Sequence, residues 1–211
     1  MNILVMPVGM LGTNCYVLSS KAGSCAVIDP GAQPEKIIGQ IEEMKLNVRY
    51  VLLTHGHHDH IGGVKKLMEK HPDALLCIGK NDLELLGDTG KSMAFMRHDN
   101  VADYMLQNAR TLEEGAVLEL DELSINVIET PGHTLGGVCY ICRDALFAGD
   151  TLFYEDCGRC DLYGGSYETI LKSLKKIAEL DGDYVVYPGH GESTTLQHER
   201  SYNRYMIEGC K

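Results

Sequence analysis

Apolar residues fall into many short runs of strand length, closed by glycine, proline or polar residues, and between some runs the apolar spacing stretches to the three-and-four period of a helix. The runs predict strands at residues 2–8, 13–19 and 25–29, and another at Tyr50-Val51-Leu52-Leu53, which reads as buried. A second series follows near 75–78, 116–120, 124–130 and 137–142, just before Asp150, and at 184–187. Helices are expected near 34–46, 61–71, 167–180 and 195–208. This order makes two αβ halves, the α/β pattern of two sheets held between helices, and no stretch reads as a linker, so residues 1–211 are expected to form one domain.

What closes the runs is unusual. Tyr50–Leu53 leads straight into Thr54-His55-Gly56-His57-His58-Asp59-His60. His55 and His57, two apart in extended chain, project to the same side and can chelate one ion together. Asp59 and His60 follow as the chain enters the helical pattern from Ile61, where Asp59 is also placed to cap the helix. His58 is expected to face the other way, towards a backbone group. Histidines packed this closely would repel one another on protonation, and a divalent ion removes that conflict by favouring neutral imidazole. Three later strands end in the same manner, in Pro131-Gly132-His133-Thr134, Ala148-Gly149-Asp150-Thr151 and Pro188-Gly189-His190-Gly191, each with a ligand-type residue beside a glycine that permits a tight turn. Asp29, which closes Cys25-Ala26-Val27-Ile28 before Pro30-Gly31, ends a strand in a similar way.

Composition narrows the field. A chain of 211 residues, 44% hydrophobic, can bury a substantial core without disulfides. The formal charge of −11 argues against nucleic acid or an anionic membrane as partner. The start, Met1-Asn2-Ile3-Leu4-Val5-Met6-Pro7, reads as neither a signal peptide nor a membrane span, and eight cysteines without an export signal point to a reducing, cytoplasmic setting. Two Cys-x-x-Cys pairs, Cys139/Cys142 and Cys157/Cys160, are separated much as in a zinc ribbon. The first pair lies in an expected strand, where residues three apart face opposite sides, so ordinary cysteines are expected. A reactive or disulfide-forming pair at Cys157/Cys160 is the alternative.

Taken together, Thr-His-Gly-His-His-Asp-His with Ile61-Gly62-Gly63, Pro-Gly-His-Thr, Phe-Ala-Gly-Asp-Thr-Leu-Phe and Tyr-Pro-Gly-His-Gly resemble the metallo-β-lactamase fold superfamily, and within it the glyoxalase II-type hydrolases. The resemblance runs through the whole chain. It implies the four-layer αββα sandwich of that fold, with His55, His57 and His133 on one metal, Asp59, His60 and His190 on a second, and Asp150 bridging them. It also implies that Asp29 orients a metal-bound histidine, a role with a physical reason because ligating histidines usually donate their other ring proton to an oxygen. Such ligands accept zinc first, iron or manganese as well. Two divalent ions roughly 3.5–4 Å apart bridge a water and acidify it towards about pH 7, supplying hydroxide as nucleophile.

The implied reaction is hydrolysis of a small thioester or ester, with Asp59 orienting the water and passing its proton to the leaving group, and Asp150 holding both ions. Two dications against Asp59, Asp150 and hydroxide leave a positive site suited to an anionic small-molecule substrate. Arg159 matches a basic position after the bridging Asp and is the candidate to grip a substrate carboxylate. Glutathione-specific relatives carry an appended helical domain and a Tyr just after the last histidine. Here Gly191-Glu192-Ser193-Thr194 follows, with enough chain for one helix, so glutathione specificity is not expected. The segment from Lys80 to Arg110, with Met93, Phe95, Met96, Met105 and Leu106 among Lys91, Arg97 and His98, is expected to form part of a lid. A mononuclear iron persulfide dioxygenase, a lactonase and a non-catalytic binding module are the other readings, and the pattern does not speak to oligomeric state.

Overall fold

The computed structural model describes residues 1–94 and 109–211. The first sheet holds β1 (Asn2–Val8), β2 (Thr13–Ser19), β3 (Ser24–Ile28), β4 (Asn47–Leu53), β5 (Leu75–Gly79) and β6 (Ala109–Leu112), in that order. The second holds β7 (Val117–Leu120), β8 (Leu123–Glu129), β9 (Val138–Cys142), β10 (Ala145–Gly149), β13 (Val185–Pro188) and β14 (Thr194–Thr195), with β13 beside β10 and β14 at the edge. A small hairpin of β11 (Leu152–Phe153) and β12 (Asp156–Cys157) stands apart. The helices are α1 (Pro34–Glu43), α2 (His58–Ile61), α3 (Val64–Lys70), α4 (Leu83–Gly87), α5 (Tyr167–Ala178), α6 (Leu196–Tyr202) and α7 (Arg204–Gly209).

Unbroken apolar strands make sense because both faces of each sheet are covered. In β2, Cys15 and Val17 face a core shared with Ile37 and Ile41 of α1 and with Leu67 of α3, while Tyr16 and Leu18 face the other sheet. In β9, Val138, Tyr140 and Cys142 join that inter-sheet core with Phe147 of β10, while Cys139 and Ile141 pack with Leu174 and Ile177 of α5. The period-two alternation therefore builds three apolar seams between four layers, helix on sheet on sheet on helix, as expected. Cys139 and Cys142 lie in different seams, and all eight cysteines are free thiols. No helix among the described residues is long and apolar enough to cross a membrane.

Several expected boundaries move. The first helix stops at Glu43, not 46, because Lys45 turns left-handed (φ 56°) and the N–H groups of Lys45 and Leu46 bond back to Glu42 and Ile41, a Schellman stop. The helix expected over 61–71 begins at His58 and is interrupted at Gly62-Gly63, where Gly63 N–H bonds the Pro30 carbonyl. Asp59 is therefore inside α2 and not its cap; the capping position is His57, with no side-chain cap bond. The last helix breaks at Asn203, whose side chain accepts the N–H groups of Tyr205 and Met206 and starts α7 afresh. Strands β6, β11, β12 and β14 were not expected; three of them are only two residues long, too short to show a period. Of the expected lid, Phe95, Met96, Arg97, His98, Met105 and Leu106 lie outside the described residues.

The sheets meet at the end where β3, β4, β8, β10 and β13 terminate. β3 and β4 are parallel, β10 and β13 are parallel, and β8 runs with β10 because each is antiparallel to β9. Bonds that stitch this end together include Val138 N–H to Thr54 O at 2.9 Å, Asn14 N–H to Gly189 O at 2.7 Å, Tyr16 hydroxyl to Pro188 O, and Tyr140 hydroxyl to Leu53 O at 2.7 Å. Tyr140→Phe keeps the packing but removes one stitch from a fully buried position, and is expected to lower unfolding free energy by about 0.5–1.5 kcal/mol in denaturant titration. An unchanged midpoint and slope would show that this bond does not help hold the sheets together.

Candidate metal centre

Each candidate ligand leaves a strand at this end. His55 and His57 follow β4, Asp59 and His60 lie in α2, His133 follows β8, Asp150 follows β10 and His190 follows β13. The ligand atoms of His55, His57 and His133 lie within 4.8 Å of one another, as do those of Asp59, His60 and His190, and those of His55, His60 and Asp150. Asp150 sits between the first two groups, its Oδ2 3.6 Å from Nε2 of both His133 and His190 and its Oδ1 3.4 Å from His60 Nε2. A Cβ on Gly189 would come within 2.0 Å of Asp150 Oδ1, so glycine before His190 is required for the close approach.

The outward ring nitrogens fix the chemistry of the inward ones. His133 Nδ1 donates to the Arg159 carbonyl at 2.7 Å and His190 Nδ1 to the Leu11 carbonyl at 3.1 Å; a carbonyl only accepts, so both Nδ1 atoms carry hydrogen. Asp29 Oδ2 accepts from His60 Nδ1 at 2.9 Å and from the Thr54 hydroxyl at 2.6 Å. Because that hydroxyl hydrogen is committed to Asp29, His55 Nδ1 must be the donor in its 3.1 Å contact with Thr54 Oγ1. Four histidines thus turn Nε2 inward. His57 presents Nδ1 instead, 2.9 Å from His133 Nε2. Asp29 reaches this position through a left-handed backbone (φ 49°), which aspartate tolerates better than most residues.

The two triads differ electrostatically. Burial, with the neighbouring imidazoles, pushes His55 well below its ordinary pKa, and burial beside His133 takes His57 down to about 3. At His60 burial acts the same way but is overridden by the Asp150 and Asp29 carboxylates, which raise it; at His190 the bond with Asp59 likewise outweighs burial. Burial alone would raise Asp59 and Asp150, yet the bond from His190 for the first and the charge of His60 for the second hold both below the ordinary carboxylate range. Buried His55 Nε2 and Asp150 Oδ1 have no hydrogen-bond partner. Unpartnered acceptors at His55 Nε2 and Asp150 Oδ1 in the middle of this cluster fit a cation, and the imidazole and carboxylate donors suit zinc, iron or manganese.

Above the cluster opens a cavity of about 440 Å³, with Leu11, Met93 and Leu162 as apolar wall and Arg159 at the rim. The Arg159 guanidinium is exposed and paired with both carboxylate oxygens of Asp161 at 2.7 Å, while its backbone carbonyl holds His133. Thr13, whose hydroxyl donates to Asp59 at 3.0 Å, is also part of the site. Sequence reading missed Thr13 and the carbonyls of Leu11 and Arg159; backbone groups carry no residue signature, and only the proximity of Thr54 to the histidines hinted at its role. His58 lines the cavity beside Asp59. Cys157 is half-buried, and burial pushes its thiol up to about 12, which disfavours a reactive thiolate.

A two-sheet α/β sandwich carrying two histidine-rich triads around a shared aspartate at one end defines a protein built around a candidate metal centre. The chain belongs to the metallo-beta-lactamase superfamily, whose family model matches residues 8–190. It is 32% identical over 209 residues to hydroxyacylglutathione hydrolase GloC of Haemophilus influenzae, covering 98% of each chain. Among solved structures it is similar to the BLEG-1 B3 metallo-beta-lactamase (TM-score 0.87, 29% identity, 97% of this chain and 99% of that one). It is also similar to TTHA1623 in a di-iron-bound form (TM-score 0.84, 31% identity, 96% of this chain and 99% of that one).

Asp150→Ala is expected to weaken every ion the cluster holds and Asp29→Ala to weaken binding by about 10–100-fold, read by metal titration. The carboxylates raise His60 and His190, so protons compete with an ion for those two rings. Affinity should therefore rise with pH and binding should release protons. Full metal content in Asp150→Ala would remove it from the centre.

Proposed function

We propose that the chain is a dinuclear metal-dependent hydrolase of a small, acyl-bearing substrate, a thioester or ester. The observation that carries the reading is the tethering of four outward Nδ1–H groups, which turns Nε2 of His55 and His133 and of His60 and His190 towards Asp150, with His57 completing the first set and Asp59 the second. Two sets of three donors around a shared carboxylate suit two ions. When bound, such ions acidify a coordinated water towards about pH 7 and polarise a carbonyl. Zinc is the default occupant, and iron is supported by the di-iron form of TTHA1623.

The chain's own residues account for the rest. Asp59 stands at the cavity floor, where its carboxylate, held by the Thr13 hydroxyl and His190, can orient water and take up its proton. Leu11, Met93 and Leu162 offer an apolar wall to an acyl or alkyl group and keep bulk water from it. Arg159 reaches a substrate carboxylate by exchanging Asp161, an exposed partner in water that is readily given up. A thioester suits this arrangement best, because a thiol ionising near about 8.5 leaves as the anion without needing a strong acid. Similarity to hydroxyacylglutathione hydrolase GloC over nearly all of both chains favours a glutathione thioester more than the expectation drawn from the end of the chain alone.

The test is one metal-loaded preparation assayed on S-lactoylglutathione, a simple thioester, its matched oxygen ester, a lactone and a β-lactam. Thioesters should be fastest, with the rate rising through a single ionisation near about pH 6–8 and abolished by chelation. Arg159→Ala should raise KM for a carboxylate-bearing thioester several times more than for a neutral one. Cys157→Ser and Cys160→Ser should leave turnover unchanged, since no thiol is the nucleophile. Preferred β-lactam turnover, or one iron per chain with oxygen consumed and sulfite formed from a persulfide, would replace the reading.

A further inference from the structure

The triad His55, His57 and His133 is assembled from two sheets, since the first two follow β4 and the third follows β8. Something must set the distance between the two loops. Asp82, at the end of the short 3-10 turn Lys80–Asp82 after β5, is fully buried. Its Oδ2 accepts the Gly56 N–H at 3.0 Å and the Thr134 hydroxyl at 2.8 Å, and its Oδ1 accepts the Gly136 N–H at 2.6 Å. Gly56 lies between His55 and His57, and Thr134 follows His133. One carboxylate thus holds both loops of one triad, and none of these bonds involves Asp59, His60 or His190.

The contact is built for closeness. A Cβ on Gly136 would stand 2.2 Å from Asp82 N and 2.9 Å from its Cβ, and one on Gly79 would stand 2.0 Å from the Gly136 carbonyl oxygen. Glycine at both places lets the turn carrying Asp82 dock against the His133 loop. Burying a carboxylate is unfavourable in itself, and it is tolerated here because three donors converge on it from the two loops that must be held in register. Asn at the same position would turn a donor towards at least one of those N–H or hydroxyl groups.

We propose that Asp82 is a positioning residue for the His55/His57/His133 triad, setting the affinity of the ion held there and not that of the ion held by Asp59, His60 and His190. This rests on the two-ion reading of the cluster. The experiment is competitive metal titration against a chromophoric chelator, with bound metal counted by elemental analysis and melting temperature measured in parallel. His57→Ala and His190→Ala identify which binding step belongs to which triad. Asp82→Asn is expected to weaken the step lost in His57→Ala by about tenfold or more and to leave the step lost in His190→Ala within about twofold. Thr134→Val, which removes one of the three bonds and serves where Asp82→Asn does not fold, should weaken the same step less, and should have no further effect once Asp82 is Ala. A carboxylate that merely stapled the fold would lower the melting temperature and weaken both steps alike, or neither; either result overturns the proposal. Wild-type protein binding two ions while both variants match it would overturn this inference alone, whereas wild-type protein binding fewer than two would overturn the two-ion reading as well.

Discussion

Five imidazoles and two carboxylates share a space in which each triad's ligand atoms lie within 4.8 Å of one another, and that crowding is eased because four of the five rings have their outward nitrogen committed to an acceptor. The assignment is made from outside. Carbonyls of Leu11 and Arg159, the Asp29 carboxylate and the committed Thr54 hydroxyl each accept one Nδ1–H, so rotation and tautomer are settled before any ion arrives. Without those acceptors, inward and outward protons would exchange freely and the converging lone pairs would be lost. The fold can be read as the means of delivering these acceptors. Asp29 comes from β3 and Thr54 from β4, adjacent parallel strands, so their exits lie side by side by construction.

The same constraint explains how the two sheets are stitched at the end that carries the cluster. Thr54 bonds Val138 through its carbonyl and Asp29 through both its N–H and its hydroxyl, so one residue ties the centre to the sheet seam. Across the seam, Thr13 pairs with His190 and Asn14 with Gly189, which carries the β1–β2 hairpin onto the last histidine. Displacing the sheets would move ligands and their acceptors together in some pairs and apart in others. The inter-sheet core of Tyr16, Phe147 and Tyr140 opposes that displacement by being filled on both faces.

The four-layer architecture was legible because apolar runs of strand length alternate with helical ones, and the seven candidate ligands because each sits at the close of such a run. Asp29 was legible for the same reason. What escaped obeys a different logic. Strands β11, β12 and β14 pair through backbone alone over two residues, which leaves no side-chain period to read. The Leu11 and Arg159 carbonyls act irrespective of side chain; indeed Arg159 drew notice for its guanidinium, whereas the structure gives its backbone a bond to His133. Of the two readings of Asp59, as ligand and as cap, the cap fails, because the helix begins at His58 and the Asp59 carboxylate turns to Thr13 and His190. Asp82 stands in Gly79-Lys80-Asn81-Asp82 with no neighbour to announce it, because all of its partners come from loops distant in the sequence.

Selectivity has to reside elsewhere than in the cluster. On the proposed function the histidines and aspartates would hold the ions and direct attack on a carbonyl, but they lie at the floor of the cavity, and a substrate would meet the wall and rim first. That wall is apolar at Leu11, Met93 and Leu162, and Arg159, paired with Asp161, brings charge to the rim. Arg159 and Leu11 each also lend a carbonyl to a histidine, so the loops proposed to meet a substrate are the loops that orient the candidate ligands. Binding that shifted either loop would be felt at His133 or His190 directly. On the proposed function, recognition and metal geometry would be coupled through these two backbone oxygens, so that a bound acyl group would tune the centre that attacks it.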